Sequence, residues 1–175
     1  MIMAQAFDIP RLETSHLVLR APMRADFDAY AEVLASPRAA CMGGPYDRAA
    51  AWTDWCVAVA EWVLHRLGPW TVTAKGTDTA LGWAGLSRHP ACPEPEMAWV
   101  MTAGAEGRGI ALEAGRAVLS HAFEALRLPA LVSYIRPGNT RAEALATRLG
   151  GAPDPSAEAL PGTTVYRYSQ GMIRS

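Results

Sequence analysis

The chain of 175 residues is half apolar, which is enough for one domain with a sizeable core and short for two. Its formal net charge of −1, with 16 basic and 17 acidic residues, excludes the dense cationic surface typical of proteins that bind nucleic acid or anionic lipid. We therefore predict a single domain over residues 1–175 that binds a small ligand and has neither a nucleic-acid nor a membrane partner.

The three cysteines, Cys41, Cys56 and Cys92, are an odd number and lack metal-ligand spacing. They predict free thiols, no metal site and a reducing, cytoplasmic location. The longest apolar stretch, around residues 55–64, is interrupted by Glu61 and is too short to span a membrane. No basic-then-apolar segment precedes the first predicted element, so we expect no secretory leader.

The first half of the chain predicts a strand and two helices after a poorly ordered lead-in over residues 1–10. The first helix ends near Pro37, because proline disfavours helix in the residue before it. The second helix carries Trp52, Trp55 and Trp62, which suit either core packing or the wall of a ligand pocket. These elements span residues 12–19, 24–36 and 48–67.

The second half predicts three strands, a long helix, a strand, a short helix and a last strand. Thr140 with Glu143 has capping-box spacing, and Gly150 and Gly151 end the short helix. The order fits one mixed sheet covered by helices on both faces. The elements span residues 70–74, 81–87, 96–101, 110–128, 130–135, 140–149 and 163–169.

A glycine-bearing turn joins the third strand of this half to the long helix. Gly107 and Gly109 allow close approach to the backbone, and the first turn of a helix offers unpaired N–H groups, so residues 107–111 could hold a phosphate. The alternative is a plain strand–turn–helix corner in which the glycines serve the turn alone. A P-loop is excluded because the Gly-Lys-Ser/Thr sequence is missing, and Leu112 stands where a Rossmann motif needs a small residue.

This order of elements, with Glu-Gly-Arg-Gly-Ile-Ala at residues 106–111, resembles the Gcn5-related N-acetyltransferases (GNAT), and within them the ribosomal-protein-alanine N-acetyltransferase (RimJ/RimL-like) branch. The most similar motifs lie at residues 96–101, 107–113 and 137–150. The resemblance implies an α/β fold with a mixed, mostly antiparallel sheet of six to seven strands and about four helices on both faces. It also implies a splay between the fourth and fifth strands, into which acetyl-CoA inserts.

The resemblance further assigns contacts to acetyl-CoA, as co-substrate. Strand residues would meet the pantetheine arm, the Val100 N–H would polarise the thioester carbonyl, and Asn139 would touch the cofactor from the fifth-strand side. The strand residues are Trp99, Val100 and Met101, and the pyrophosphate cradle consists of Gly107, Arg108, Gly109, Ile110 and Ala111.

Four positions depart from the family pattern, one of which is Gly151, where the family usually has Phe. Glu106 stands where the family has Gln, Arg or Trp, and its charge does not favour a phosphate. Ala142 and Ala146 occupy the positions of the usual general acids, and neither can donate a proton.

Acetyl transfer from a thioester to an amine needs a base and a route for the proton. Glu96 matches a frequent family base position, although a solvated carboxylate after a proline-rich loop is the alternative. Tyr134 and Ser133 alternate on the fifth strand, so one of them can face the splay and replace the missing acid.

We therefore predict an acetyl-CoA-dependent N-acetyltransferase that acts on a primary amine by direct attack, the alternative being a non-catalytic acyl-CoA-binding sensor or interaction domain. The tryptophan-bearing helix would form one wall of the acceptor pocket. A protein N-terminus, an amino acid, an antibiotic and a polyamine all stay open as acceptors, and a homodimer is compatible with this function.

Overall fold

The structure is a computed structural model that describes residues 8–172. These residues form one eight-stranded sheet. Its strands are β1 (Leu12–Glu13), β2 (Leu17–Arg20), β3 (Pro69–Ala74), β4 (Ala80–Ser87), β5 (Glu96–Met101), β6 (Ala130–Ile135), β7 (Ala152–Pro153) and β8 (Thr164–Ser169). They lie in the order β1-β2-β3-β4-β5-β6-β8-β7, and every neighbouring pair is antiparallel except β5 and β6.

The sheet has eight strands where the sequence predicts six to seven. The single strand predicted over residues 12–19 is a hairpin, in which Leu12 lies opposite Leu19. Thr14 stabilises its turn, because its Oγ accepts a hydrogen bond from the Leu17 N–H at 2.9 Å. The short strand β7 adds an edge beside β8. The other predicted strands are confirmed to within one residue, so the expected fourth and fifth strands are β5 and β6.

The four predicted helices are confirmed as α1 (Phe27–Ala35), α2 (Arg48–His65), α3 (Ile110–Ser120) and α4 (Thr140–Arg148). Several of their ends differ from the prediction. A 3₁₀ turn over Arg24–Asp26 precedes α1, and α3 ends at Ser120, where a π-helical turn over His121–Ala125 follows in place of the helix predicted to residue 128. Helix α2 ends at His65, because Arg66 adopts a left-handed φ of 59° before Gly68 is reached. Helix α4 is capped by Asn139 and not by Thr140, because the Asn139 side chain accepts from the Ala142 N–H at 3.3 Å.

Helices cover both faces of the sheet, as predicted, and each face has its own core. Helices α3 and α4 pack on one face, where Gly115 lets α3 approach closely: a Cβ there would lie 2.9 Å from Leu149 and 3.0 Å from Met97. Helices α1 and α2 pack on the opposite face. The first core includes Leu19, Val72, Met97, Val118 and Leu131, and the second includes Phe27, Tyr30, Leu34, Trp55 and Trp83.

Most of the predicted lead-in, residues 1–7, lies outside the described residues. Its last residues are ordered, which corrects the expected boundary: Ile9 packs on the core, and the Pro10 carbonyl accepts a hydrogen bond from Trp70 Nε1 at 2.6 Å. Among residues 8–172, no helix combines the length and the apolar character that crossing a bilayer requires.

Candidate active site

Strands β5 and β6 pair at one end only. Glu96 lies opposite Val132, and the Val132 N–H donates to the Pro95 carbonyl at 3.1 Å. No other residue pair of these two strands is in register, and a cleft of about 570 Å³ extends between them and the start of α3. This cleft is the splay that the sequence predicts between its fourth and fifth strands.

Two side chains end the pairing of these strands. In a regular parallel ladder the Tyr134 N–H would donate to the Met97 carbonyl. Here the Ser133 hydroxyl donates to that carbonyl at 2.5 Å, and the Tyr134 N–H binds the Glu96 carboxylate instead. Glu96 and Ser133 therefore satisfy the backbone groups that the opening of the sheet leaves unpaired.

Along β5, the backbone N–H and C=O groups of successive residues point alternately toward β4 and toward β6. Because the Pro95 and Met97 carbonyls face β6, the N–H and C=O groups of Trp99 and Met101 face the cleft. Those of Val100 point the other way and pair with Trp83 in β4. The expectation that the Val100 N–H polarises the thioester carbonyl is therefore wrong, and the Trp99 N–H is the group that faces the cleft.

The Glu96 side chain lines the cleft on the α1 and α2 side of the sheet. Removal from water raises the pKa of Glu96 to about 7, against the lowering effect of hydrogen bonds from the Tyr134 N–H and the Cys92 thiol. The Cys92 Sγ lies 3.8 Å from Glu96 Oε2, and burial together with the Glu96 charge raises the pKa of that thiol to about 11. A carboxylate that titrates near neutrality suits a general base.

Tyr134 and Ser133 point to opposite faces of β6. Tyr134 lines the cleft on the same side of the sheet as Glu96, and its hydroxyl accepts from the Glu94 N–H at 3.4 Å. Burial raises the pKa of Tyr134, so the phenol is protonated at neutral pH. Ser133 is buried between the Met97 carbonyl and the Tyr168 hydroxyl, which leaves Tyr134 as the better placed proton donor.

The glycine turn opens helix α3 at the other end of the cleft. Gly107 and Gly109 have φ values of +71° and +77°, and a Cβ at either position would meet nothing within 4 Å. The turn is therefore left-handed and open toward the space in front of the helix, where the first-turn N–H groups are unpaired. Gly107, Gly109, Ile110 and Ala111 line the cleft, as does Asn139. Arg108 does not line it, and donates to the Gly104 carbonyl at 3.3 Å.

An ion-pair bridge crosses the mouth of the cleft. The Glu106 carboxylate accepts from Arg38 in the 3₁₀ turn after α1 and from Arg141 at the start of α4. Arg38 also donates to the Met101 carbonyl at 2.8 Å. Two further arginines, Arg136 and Arg148, line the same cleft, so cationic side chains outnumber carboxylates around it.

A smaller pocket of about 180 Å³ adjoins the cleft on the α1 and α2 side. The two cavities share Met42 and the β5 residues 98–100. The rings of Tyr30, Trp55 and Trp83 wall the small pocket, with centroid separations of 4.9 to 5.9 Å. Glu61, which is 6% exposed and accepts a hydrogen bond from the Arg88 N–H at 2.8 Å, is also part of its lining.

Several of these residues were not found by sequence reasoning. Arg38 follows a helix-ending proline and has no sequence signal of its own, and the position of Cys92 beside Glu96 depends on the loop before β5. Glu61 did leave a signal, because it is a charged residue within an apolar helical stretch. Within residues 8–172, no group of three or more His, Cys, Asp or Glu side chains could hold a metal ion.

The fold and sequence match known acetyltransferases. The family model described as acetyltransferase (GNAT) domain matches residues 16–152. An acetyltransferase from Agrobacterium tumefaciens is 41% identical, with a TM-score of 0.89 over 97% of this chain and 100% of that one.

Two more distant structures share the fold. RimJ from Mycobacterium smegmatis, in complex with CoA-disulfide, is 18% identical with a TM-score of 0.70 over 95% of this chain and 88% of that one. RimL, a ribosomal L7/L12 α-N-protein acetyltransferase in complex with coenzyme A, is 14% identical with a TM-score of 0.73 over 91% of this chain and 98% of that one. Since the family model covers most of the chain, the protein belongs to the GNAT acetyltransferase family.

Proposed function

We propose that the protein is an acetyl-CoA-dependent N-acetyltransferase that acetylates a primary amine by direct attack. The observation that carries this proposal is Glu96, a cleft-lining carboxylate with a pKa near 7 at the point where β5 and β6 separate. The three free thiols, Cys41, Cys56 and Cys92, support placing the protein in the reducing cytoplasm. Homodimer formation stays a prediction.

The cleft fits acetyl-CoA as the acetyl donor. The Trp99 carbonyl and the Met101 N–H suit strand-like pairing with the amides of the pantetheine arm, and the open turn of Gly107 and Gly109 suits the pyrophosphate on the first-turn N–H groups of α3. RimJ and RimL, which share the fold, are described in complex with CoA-disulfide and coenzyme A. The proposal assigns the contacts to Trp99, Val100, Met101, Gly107, Gly109, Ile110, Ala111 and Asn139, with Arg108 at the rim.

The chain's own residues supply the proton steps. Glu96 takes the proton from the incoming ammonium, directly or through a water, so that the nitrogen lone pair can attack the acetyl carbonyl carbon. The Trp99 N–H donates to the carbonyl oxygen as negative charge develops there. As the carbon–sulfur bond breaks, Tyr134 or water protonates the departing thiolate, and an amide and free CoA thiol result.

The test is release of free CoA thiol from acetyl-CoA in the presence of a panel of primary amines, with mass spectrometry of the product. We expect amine-dependent release and an amine product heavier by one acetyl group. Acetyl-CoA binding without turnover on any amine would support the alternative, an acyl-CoA-binding sensor, which Ala142 and Ala146 permit because they lack the usual acid.

A further inference from the structure

Glu61 is a buried carboxylate that the fold does not neutralise. It is 6% exposed, and within residues 8–172 its one polar partner is the Arg88 backbone N–H, which donates to Oε2 at 2.8 Å. No Arg, Lys or His of the described chain lies within ion-pair distance of it. A buried carboxylate without a countercharge is unfavourable, so a bound cation would relieve that cost.

The pocket that Glu61 lines suits the organic part of a cation. The rings of Tyr30, Trp55 and Trp83 wall its other end, since Trp83 lies opposite Val100 in the β4–β5 ladder, and they supply apolar surface there. The pocket volume of about 180 Å³ is close to that of a cavity that holds a benzene ring, so it admits a short organic chain and excludes a folded peptide. The walls are otherwise apolar, which suits methylene groups.

The pocket is continuous with the reaction centre. Residues 98–100 of β5 line both cavities, and Ser87, at the Glu61 end of β4, lies directly opposite Glu96 in the β4–β5 ladder. The charges of both carboxylates raise the pKa of the Cys92 thiol, so both lie near it. A short ligand lying across the β4–β5 pair can therefore reach Glu96 with one end and Glu61 with the other.

We propose that the acceptor is a small amine that carries a second cationic group, with a diamine as the simplest case. This inference rests on the proposed function and names its substrate class. The reacting nitrogen lies at Glu96, the second ammonium binds Glu61 beside the end of β4, and the methylene chain lies between the two carboxylates. The product keeps one positive charge, because only the amine at Glu96 is acetylated.

The experiment compares 1,4-diaminobutane with n-butylamine, a matched monoamine, on the intact protein. We expect the wild type to prefer the diamine by about 10- to 100-fold in kcat/KM, the contribution of a buried charge-assisted hydrogen bond. Glu61→Gln keeps an acceptor for the Arg88 N–H and removes the charge, so the preference should fall to near one. The change should lie mainly in the KM for the diamine, with acetyl-CoA affinity unaltered. Glu32→Gln, on the exposed side of α1, is the matched control and should keep the preference.

Equal use of the two amines by the wild type, or a preference that survives in Glu61→Gln, would overturn the inference. Calorimetry of 1,4-diaminobutane binding, with CoA in place of acetyl-CoA, separates this inference from the proposed function. If no amine is acetylated, the proposed function fails, and loss of diamine binding in Glu61→Gln alone would still establish the cation site. Should Glu61→Gln not fold, the wild-type preference and the wild-type calorimetry decide the matter.

Discussion

Glu96 has two roles in one position: it binds the Tyr134 N–H where the strands separate, and it is the proposed base. Glu96→Gln keeps the shape and an acceptor oxygen but cannot take a proton. We expect turnover to fall by about 10² or more, while acetyl-CoA affinity measured by calorimetry stays nearly unchanged.

The pH profile gives the sharper form of this prediction. Because the base must be ionised, wild-type kcat should rise as pH increases through about 7, the pKa of Glu96. The kcat of the Glu96→Gln variant should not show this rise. Tyr134→Phe should cost less, since water can also protonate the leaving thiolate. Near-native turnover in Glu96→Gln across the whole profile would place the base elsewhere.

Glu106 departs from the family pattern, and its position in the structure predicts an effect on acetyl-CoA binding that can be measured. It lies at the cleft mouth between Arg38 and Arg141, where it neutralises cations that would otherwise attract phosphate. Glu106→Gln should therefore tighten acetyl-CoA binding by roughly 3- to 10-fold at low salt, with a smaller gain at high salt. Calorimetry at two ionic strengths measures this, with Glu124→Gln on the far surface as control. Weaker binding would mean that Glu106 holds the two arginines in their binding positions.

At the scale of single elements, the start of α3 can be tested with a matched pair of glycines. Gly109 and Gly76 both have positive φ, +77° and +80°, and both would place a Cβ in open space, but Gly76 lies in the β3–β4 turn. An aspartate should cause the same backbone strain at either position, whereas only Gly109→Asp puts a negative charge at the proposed phosphate site. We expect acetyl-CoA affinity to drop at least tenfold in Gly109→Asp alone. Equal affinities in two folded variants would refute the cradle.

Helix α2 offers a second matched pair. Trp55 is buried and walls the small pocket, whereas Trp52 is 40% exposed and packs edge-on against Phe27. Trp55→Leu should change the order of preference in an amine panel while acetyl-CoA affinity stays the same, and Trp52→Leu should change neither. If Trp55→Leu is unfolded by circular dichroism, the residue serves the core alone.

Elements were more predictable than their contacts. Periodicity located β5, β6 and all four helices, because apolar patterning follows directly from which face is buried. It could not separate β1 from β2, since a hairpin with a three-residue turn leaves the apolar pattern nearly continuous. The direction of the Val100 N–H depends on register with β4, and register comes from pairing between distant strands.

At the scale of the whole molecule, an ion-pair cluster helps to join strands β6–β8 to the rest of the sheet. Besides the contacts that Val132, Ser133 and Tyr134 make with β5 and the loop before it, Arg167 on β8 binds both Glu94 oxygens at 2.7 Å and Asp154 at 2.6 Å, which ties β8 to that loop. Arg167→Met should destabilise the fold by about 1–2 kcal/mol, because a bidentate, partly buried pair is lost. Thermal unfolding measures the loss, and Arg116→Met, on the exposed side of α3, should cost much less.

The pH dependence of stability on the acid side shows whether Arg167 stabilises the fold through its charge. Hydrogen bonds from Ser156 and Arg167 lower the pKa of Asp154 to about 2, and those from Arg167 lower the pKa of Glu94. Carboxylates with lowered pKa stabilise the fold above their unfolded pKa, and that stabilisation is lost as pH falls through the folded value. The difference between wild type and Arg167→Met should therefore be constant near neutrality and shrink as pH falls from about 4 toward about 2. A gap that persists at the lowest pH would indicate lost packing in place of lost charge pairing.

The separation of β5 from β6 also bears on how the protein avoids aggregation through an unpaired strand edge. Unpaired strand edges usually recruit other chains, which is how sheets aggregate. Here the unpaired groups of β5 lie in the interior of the sheet, between β6 on one side and the start of α3 on the other. An extended ligand that enters the cleft can pair with them. The fold thus keeps a reactive sheet edge inside a ligand cleft and away from the outer edges of the sheet.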